Sequence, residues 1–290
     1  MFSGAMVALI TPFDNGQVDF NTLDELVVFH LKSGIDGIVP CGTTGESPTL
    51  SHPEHRQVIE RVVKAVGGKV PVIAGTGSNS TAEAIELTAF AKKVGADASL
   101  QVTPYYNKPT QEGFYQHFAT IAQEVDLPMV LYNIPGRCGA GLTPATVARL
   151  AEIENIVAIK EATGQLDFAS EIANLCDITI LSGDDSLTLP IASVGGKGII
   201  SVVANIVPSD VKAMTDLILE GDLVSARKWH NKLFKLSKTM LSLATNPIPV
   251  KAAMAMLGLA SEEMRLPMTP LNAAQKEELR KLLKDYGLSV

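Results

Sequence analysis

Lys160 sits near the end of Asn155-Ile156-Val157-Ala158-Ile159-Lys160-Glu161-Ala162, a short Ile- and Val-rich run of the kind that forms a buried strand. A lysine there admits two readings. Its stem can lie along the sheet while the ammonium reaches water. Alternatively, the amine can stand desolvated inside the fold, where burial disfavours the charged form and leaves a nucleophile able to form a Schiff base with a ketone. Side chains alternate along a strand, which puts Lys160 on the face of Ile156 and Ala158, with Val157, Ile159 and Glu161 opposite. Carbinolamine formation and collapse need a proton shuttle. The phenol of Tyr132 and the hydroxyls of Thr43 or Thr44 are candidates, and Arg137 offers a fork for a carboxylate. Each also has a plainer role: Tyr132 as a core tyrosine, the two threonines as turn residues between Gly42 and Gly45, Arg137 as a solvated loop residue.

These residues can meet only if the fold gathers them. Short apolar runs recur at Ala5–Thr11, Ile35–Cys41, Val70–Gly75, Ala98–Thr103, Pro128–Asn133, Asn155–Glu161, Ile178–Gly183 and Lys197–Val202. Helical patterns lie between them, for example Leu23–Ser33, His55–Val66, Thr81–Val94 and Pro144–Ala151. Strand-then-helix order implies parallel strands with crossover helices. Eight such units in residues 1–222 predict a closed (β/α)8 TIM barrel carrying the active site. An open doubly wound sheet is the alternative, but no Gly-x-Gly-x-x-Gly follows the first strand. Residues 223–290 contain no further strand and read as C-terminal helices over Ala226–Leu243, Pro249–Leu257 and Asn272–Tyr286. Ser51–Glu54 and Ser80–Glu83 both have the capping-box form, and Thr143-Pro144 offers a cap followed by an N1 proline.

In a barrel the strand ends Gly42–Ser47, Gly75–Asn79, Thr103–Asn107, Tyr132–Arg137 and Ser182–Asp185 converge on one rim around Lys160. That convergence weighs more than any one motif. Composition excludes other classes. The net charge is −7 with no basic tract, which gives no footprint for nucleic acid and no pull toward a membrane surface. No apolar run approaches the length of a membrane span, and Met1-Phe2-Ser3-Gly4-Ala5-Met6 lacks a secretory signal, so a cytoplasmic location is expected. Three widely spaced cysteines, Cys41, Cys138 and Cys176, argue against a disulfide framework or a zinc site. His52 and His55 share a helix face without a third ligand at metal spacing, so no metal is expected.

Taken together, the motifs Gly42-Thr43-Thr44-Gly45-Glu46-Ser47, Val102-Thr103-Pro104-Tyr105-Tyr106-Asn107-Lys108-Pro109, Leu131-Tyr132-Asn133-Ile134-Pro135-Gly136-Arg137, Ile159-Lys160-Glu161-Ala162, Leu181–Asp185 and Asn246-Pro247-Ile248-Pro249-Val250-Lys251 carry a family resemblance. Over essentially its whole length the chain resembles the pyruvate-dependent class I aldolases and lyases, the dihydrodipicolinate synthase family most closely. The resemblance implies a carbon–oxygen lyase that joins pyruvate to L-aspartate 4-semialdehyde and opens the diaminopimelate and L-lysine branch, with no cofactor. It implies Lys160 as the imine-forming residue and Tyr132 as proton donor and acceptor. Thr43 completes the relay with Tyr106, which comes from the neighbouring subunit of a homotetramer built from tight dimers. Thr44 and the Ile200 backbone hold pyruvate, Gly183 is a further substrate-binding residue, and Arg137 takes the second substrate's carboxylate.

The resemblance also implies an L-lysine feedback site at Ser47, Pro48, His52, His55, Asn79, Glu83 and Tyr105. Pro48 departs from the alanine usual in lysine-sensitive relatives and stiffens the loop beside Ser47. Cys138 replaces the more usual hydroxyl residue after Arg137. Two rival functions remain at this stage. A sugar-acid lyase of the same superfamily would keep Lys160 and Tyr132 without needing the Tyr105-Tyr106 pair. A non-catalytic small-molecule-binding barrel would be expected to have lost Lys160 or Tyr132.

Overall fold

A computed structural model describes residues 2–290. Eight parallel strands run around the molecule in chain order: β1 Gly4–Ala8, β2 Gly37–Val39, β3 Ile73–Gly75, β4 Ala98–Val102, β5 Met129–Asn133, β6 Ile156–Glu161, β7 Thr179–Ser182 and β8 Gly198–Ser201. Neighbouring strands pair from β2 through β1, β8, β7, β6, β5 and β4 to β3. The ring is closed by a parallel bridge between Ile38 and Val72, flanked by Ile38 N–H to Pro71 O at 3.0 Å and Gly75 N–H to Pro40 O at 2.9 Å. The helices between strands are α1 Phe20–Lys32, α2 His52–Val66, α3 Thr81–Val94, α4 Gln111–Glu124, α5 Pro144–Ala151, α6 Leu166–Leu175, α7 Thr188–Ser193 and α8 Pro208–Leu219. This is the expected (β/α)8 barrel.

Two layers of apolar side chains fill it, as strand alternation requires. Met6, Val39, Ile73, Leu100, Ala158 and Ile200 pack inside the ring. Leu131, Ile159 and Ile180 point outward against helices with Phe114, Phe118 and Val147. One expectation about β6 fails at its start. Met129 pairs with Ile156 but the next residue, Val130, pairs with Ala158, so Val157 is the extra residue of a bulge. Ile156 therefore belongs to the outer layer and Val157 packs toward the inner one. Beyond the bulge the alternation holds, and Ala158 faces inward together with Lys160.

Helix starts follow local chemistry, with one correction. Ser51 and Glu54 form a complete capping box at α2, and the Thr143 hydroxyl caps α5 ahead of Pro144. At α3 only half of the expected box exists. The Ser80 hydroxyl accepts from Glu83 N–H, whereas Ser80 N–H donates to Ser78 Oγ at 3.1 Å. The Glu83 carboxylate is drawn elsewhere, to the Ser78 hydroxyl and to His52.

After α8 the chain continues as α9 Leu223–Ser242, α10 Ile248–Met256 and α11 Ala273–Tyr286. Leu233, Leu236, Val250 and Leu283 share one core with Leu9, Ile10 and Val207 of the barrel. A buried ion pair ties this segment to the loop after β2. Lys251, fully buried, places Nζ 2.5 Å from Glu46 Oε1 and donates to Thr11 O at 3.0 Å. The other Glu46 oxygen accepts from Arg265 N–H at 3.2 Å. The Arg265 guanidinium bonds Glu54 and the carbonyl of Thr49. Glu46 itself takes a left-handed backbone at φ 53°, a conformation costly for a residue with a side chain. The ion pair and the turn bonds of Gly42–Ser47 hold it there. Among the described residues no helix is long and apolar enough to cross a membrane.

Candidate active site

Lys160 is 5% exposed, on the inner face of β6, level with Tyr132 of β5 and Leu181 of β7. Its Nζ lies 4.2 Å from the centroid of the Tyr132 ring. That ring face and the Asp185 carboxylate favour the ammonium. Burial among apolar strand residues outweighs them, and the amine falls from the ordinary lysine value of 10.5 to about 8. About a tenth of it is therefore the free nucleophile at pH 7, several hundredfold more than for an ordinary surface lysine. Gly183 supplies the space beside it, since a Cβ there would stand 3.1 Å from Lys160 Cε and 2.9 Å from Glu161 O. Ile200 lies on the same inner face with no exposure.

Tyr132 is buried as well, and burial pushes its phenol up to about 12, so it carries its proton throughout the neutral range. Thr43 and the Arg137 guanidinium act in the opposite sense to burial. Lys160, Tyr132, Thr43, Gly183 and Ile200 are thus gathered at one end of the barrel interior, as expected from their strand-end positions. Thr44 and Arg137 are joined through a residue to which the sequence reading gave no role. Asn246, from the segment between α9 and α10, donates from Nδ2 to Thr44 Oγ1 at 3.0 Å, and its main-chain carbonyl accepts from Arg137 Nη2 at 3.0 Å.

Asp185 is the second residue whose importance the sequence reading missed. Buried at the end of β7, it accepts from Val202 N–H at 2.9 Å, from Val203 N–H at 3.3 Å and from the Ser201 hydroxyl. Burial raises its carboxyl to about 6. It therefore fixes the chain leaving β8 while opposing the loss of charge on Lys160. Its place as the second Asp of a strand-end pair was the available signal. Asn246 stands in the Asn246–Lys251 motif, but the sequence gives it no role there, because its partners lie 109 and 202 residues away.

The residues of the expected feedback site are mostly brought together. Ser47, Pro48, His52, His55, Glu83 and Tyr105 line a cavity of about 330 Å3 whose wall also includes Thr43, Arg137 and Cys138. Within it His52 Nε2 stands 2.6 Å from Glu83 Oε1. His55 Nε2 is 2.7 Å from Gly75 O, and burial lowers its pKa. Burial also raises the Tyr105 phenol. Asn79 is not in the wall; its Nδ2 donates to Tyr105 O at 3.2 Å, and Asn79 O accepts from Asn107 Nδ2 at 2.9 Å. The two asparagines brace the loop that carries Tyr106, which is 90% exposed on a left-handed backbone of φ 73°. Tyr106 accordingly takes no part in this chain's own cluster around Lys160. Among the described residues no group of His, Cys, Asp and Glu has the arrangement of a metal site.

A desolvated amine with a protonated phenol against it, presented from the sixth strand of a closed parallel barrel, is the arrangement of the imine-forming barrel enzymes, the class I aldolases and lyases. Sequence comparison narrows that class. The chain belongs to the dihydrodipicolinate synthetase family, whose model matches residues 1–286. It is 57% identical over 290 residues to the 4-hydroxy-tetrahydrodipicolinate synthase of Geotalea uraniireducens (strain Rf4), covering 99% of this chain and 100% of the relative. The chloride-inhibited dihydrodipicolinate synthase of Acinetobacter baumannii, solved in complex with pyruvate, matches with a TM-score of 0.97, 45% identity and full coverage of both chains. The Cyanidioschyzon merolae enzyme, solved with lysine bound, matches with a TM-score of 0.95 and 42% identity over 99% of each chain.

The lowered pKa of Lys160 has a measurable consequence. Trapping of a keto acid at limiting concentration should accelerate with pH as the ammonium is lost and level off above about 8. A rate that keeps climbing toward the ordinary lysine value of 10.5 would show that the amine is not desolvated. Stopped borohydride reactions quantified by intact mass across the pH range give this profile.

Proposed function

We infer that this chain is a 4-hydroxy-tetrahydrodipicolinate synthase, condensing pyruvate with L-aspartate 4-semialdehyde. The observation that carries the reading is the buried Lys160 amine against the Tyr132 ring. High identity to relatives of that name over their whole length supports it. The free amine adds to the ketone carbon of pyruvate, and Tyr132 protonates the departing hydroxyl, so one water leaves and an imine forms. Loss of a methyl proton gives the enamine, with the imine nitrogen as electron sink, and the enamine carbon attacks the aldehyde. The new alkoxide takes a proton through the relay of Tyr132, Thr43 and Tyr106. The amine of the second substrate then adds to the imine carbon and displaces Lys160, closing the ring and regenerating the free lysine. Thr44 and the Ile200 backbone hold pyruvate, Gly183 leaves room for substrate beside Lys160, and Arg137 receives the carboxylate of the semialdehyde. No metal or organic cofactor is required, since the lysine itself supplies the sink. A cytoplasmic location is in keeping with three free cysteines.

The test of this reading is chemical. Incubation with pyruvate and borohydride should add one reduced pyruvyl group to the wild-type chain and none to Lys160→Ala. Adding L-aspartate 4-semialdehyde with a coupled reductase should then give turnover. Failure to form the adduct would reject the enzyme reading altogether, while an adduct without turnover would point to a sugar-acid lyase instead.

The assembly is read as a homotetramer of tight dimers, in which Tyr106 completes the relay of the neighbouring subunit. Its 90% exposure in the single chain and its braced, left-handed loop support this. Co-expression of Tyr106→Phe with Lys160→Ala should then restore activity that neither variant has alone, because a mixed dimer contains one complete site. No recovery in isolated mixed dimers would place the tyrosine outside the partner's site.

L-lysine is the proposed regulator, held in the cavity of Ser47, Pro48, His52, His55, Glu83 and Tyr105, with Asn79 bracing Tyr105. The support is chemical: the Glu83 side chain, flanked by imidazole, hydroxyl and phenol groups, suits an amino acid with a second ammonium. Titration of activity with L-lysine should show inhibition that Glu83→Gln weakens about tenfold or more, the usual scale for a charge-assisted bond. Activity that stays flat into the millimolar range would contradict it.

A further inference from the structure

Asn246 does more than join two substrate-binding residues, because its bonds decide which way the Thr44 hydroxyl can point. Thr44 is 3% exposed and Asn246 5%. The amide gives an N–H to Thr44 Oγ1 at 3.0 Å, and an amide N–H can only donate. One lone pair of the hydroxyl is thereby occupied, and the hydroxyl hydrogen must be directed elsewhere. Among the described residues no acceptor receives it. The hydroxyl is therefore left as an oriented donor. The same residue fixes the Arg137 guanidinium through its main-chain carbonyl.

Asn246 is itself held in place. It precedes α10, whose Lys251 is locked to Glu46 at 2.5 Å, and Glu46 lies two residues from Thr44. The donor and the hydroxyl it orients are thus anchored to one buried ion pair. Asn246 Oδ1 is buried and accepts no hydrogen bond among the described residues. A buried acceptor left unpaired is costly. A carboxylate at this position would be satisfied more readily, by accepting the Thr44 O–H, and would reverse the polarity of the bond.

We propose that Asn246 is a specificity-determining positioning residue that presents the Thr44 hydroxyl as a hydrogen-bond donor to the carboxylate of the keto acid. This rests on the keto-acid reading above, and selects for a 2-oxo acid over a plain ketone or aldehyde. It touches no reacting atom and acts only through Thr44 and Arg137.

The test compares Asn246→Asp with Asn246→Ala in the full-length chain. The readout is the pyruvate concentration that half-saturates borohydride trapping on Lys160, alongside KM and kcat in the coupled assay. Asn246→Asp keeps size and packing but turns the Thr44 hydroxyl toward itself and adds negative charge. Its half-saturation should rise about 10- to 100-fold, the range for losing a charge-assisted hydrogen bond, with kcat changing far less. Asn246→Ala, which leaves the hydroxyl free to rotate, should raise it less. A purely structural role predicts the reverse order, since the alanine opens a cavity and the aspartate does not, and that order would overturn the proposal. In a Thr44→Val background Asn246→Ala, which adds no charge, should have little further effect on half-saturation, because the hydroxyl it orients is gone. Full additivity there would also overturn it. Wild-type protein that forms no adduct at any pyruvate concentration would instead reject the keto-acid reading, so the two failures are distinguishable.

Discussion

Everything at the site depends on keeping one amine dry. Lys160 can act as a nucleophile near neutrality only because the barrel surrounds it with strand side chains and withholds water. Desolvation alone would drive the amine further down and weaken the structure around an unpaired charge. The Tyr132 ring and the Asp185 carboxylate oppose it, and the balance sets the amine where both protonation states are accessible. Closure of the ring is therefore part of the chemistry. Were the Ile38–Val72 edge open, water would enter beside β3 and the inner layer of Met6, Ile73 and Leu100 would no longer isolate the rim.

A second constraint comes from outside the ring. The loop Gly42–Ser47 carries both relay and binding hydroxyls, yet it is short, rich in glycine and includes Glu46 in a left-handed conformation. Such a loop would not hold Thr43 and Thr44 to a fraction of an ångström by its own turn bonds. The C-terminal segment does so from behind, with Lys251 and Arg265 on Glu46 and Asn246 on Thr44. The helices beyond the barrel are thus bound into the site's rigidity as well as into the core. Preorganisation of this kind is where much of an enzyme's rate advantage resides.

How much of this could be read from the chain alone follows from the range of each interaction. The eight strands were legible because each is a short apolar run ending in polar residues, and alternation placed Lys160 on one face with Ala158. The bulge at Val157 was not legible, since both candidate faces are apolar and only pairing with β5 distinguishes them. A hairpin pairs Phe13–Asp14 with Gln17–Val18 within the chain that follows β1, and Asn15-Gly16 at its turn, both at positive φ, is the strong local signal for it. The capping box at Ser80 was expected on good local grounds and lost to competition, because Ser78 and His52 offer Glu83 better partners. Asn246 and Asp185 needed the fold, as their bonds reach across the barrel or to the next strand.

The central claim is that the Lys160 amine forms a covalent bond to a keto acid beside Tyr132. A crystal structure of the protein soaked in pyruvate tests it most directly. Continuous density should run from Lys160 Nζ to the former ketone carbon, with the Tyr132 hydroxyl within hydrogen-bond reach and the carboxylate on the Thr44 side. Pyruvate bound without a covalent link, or joined to a different lysine, would contradict it.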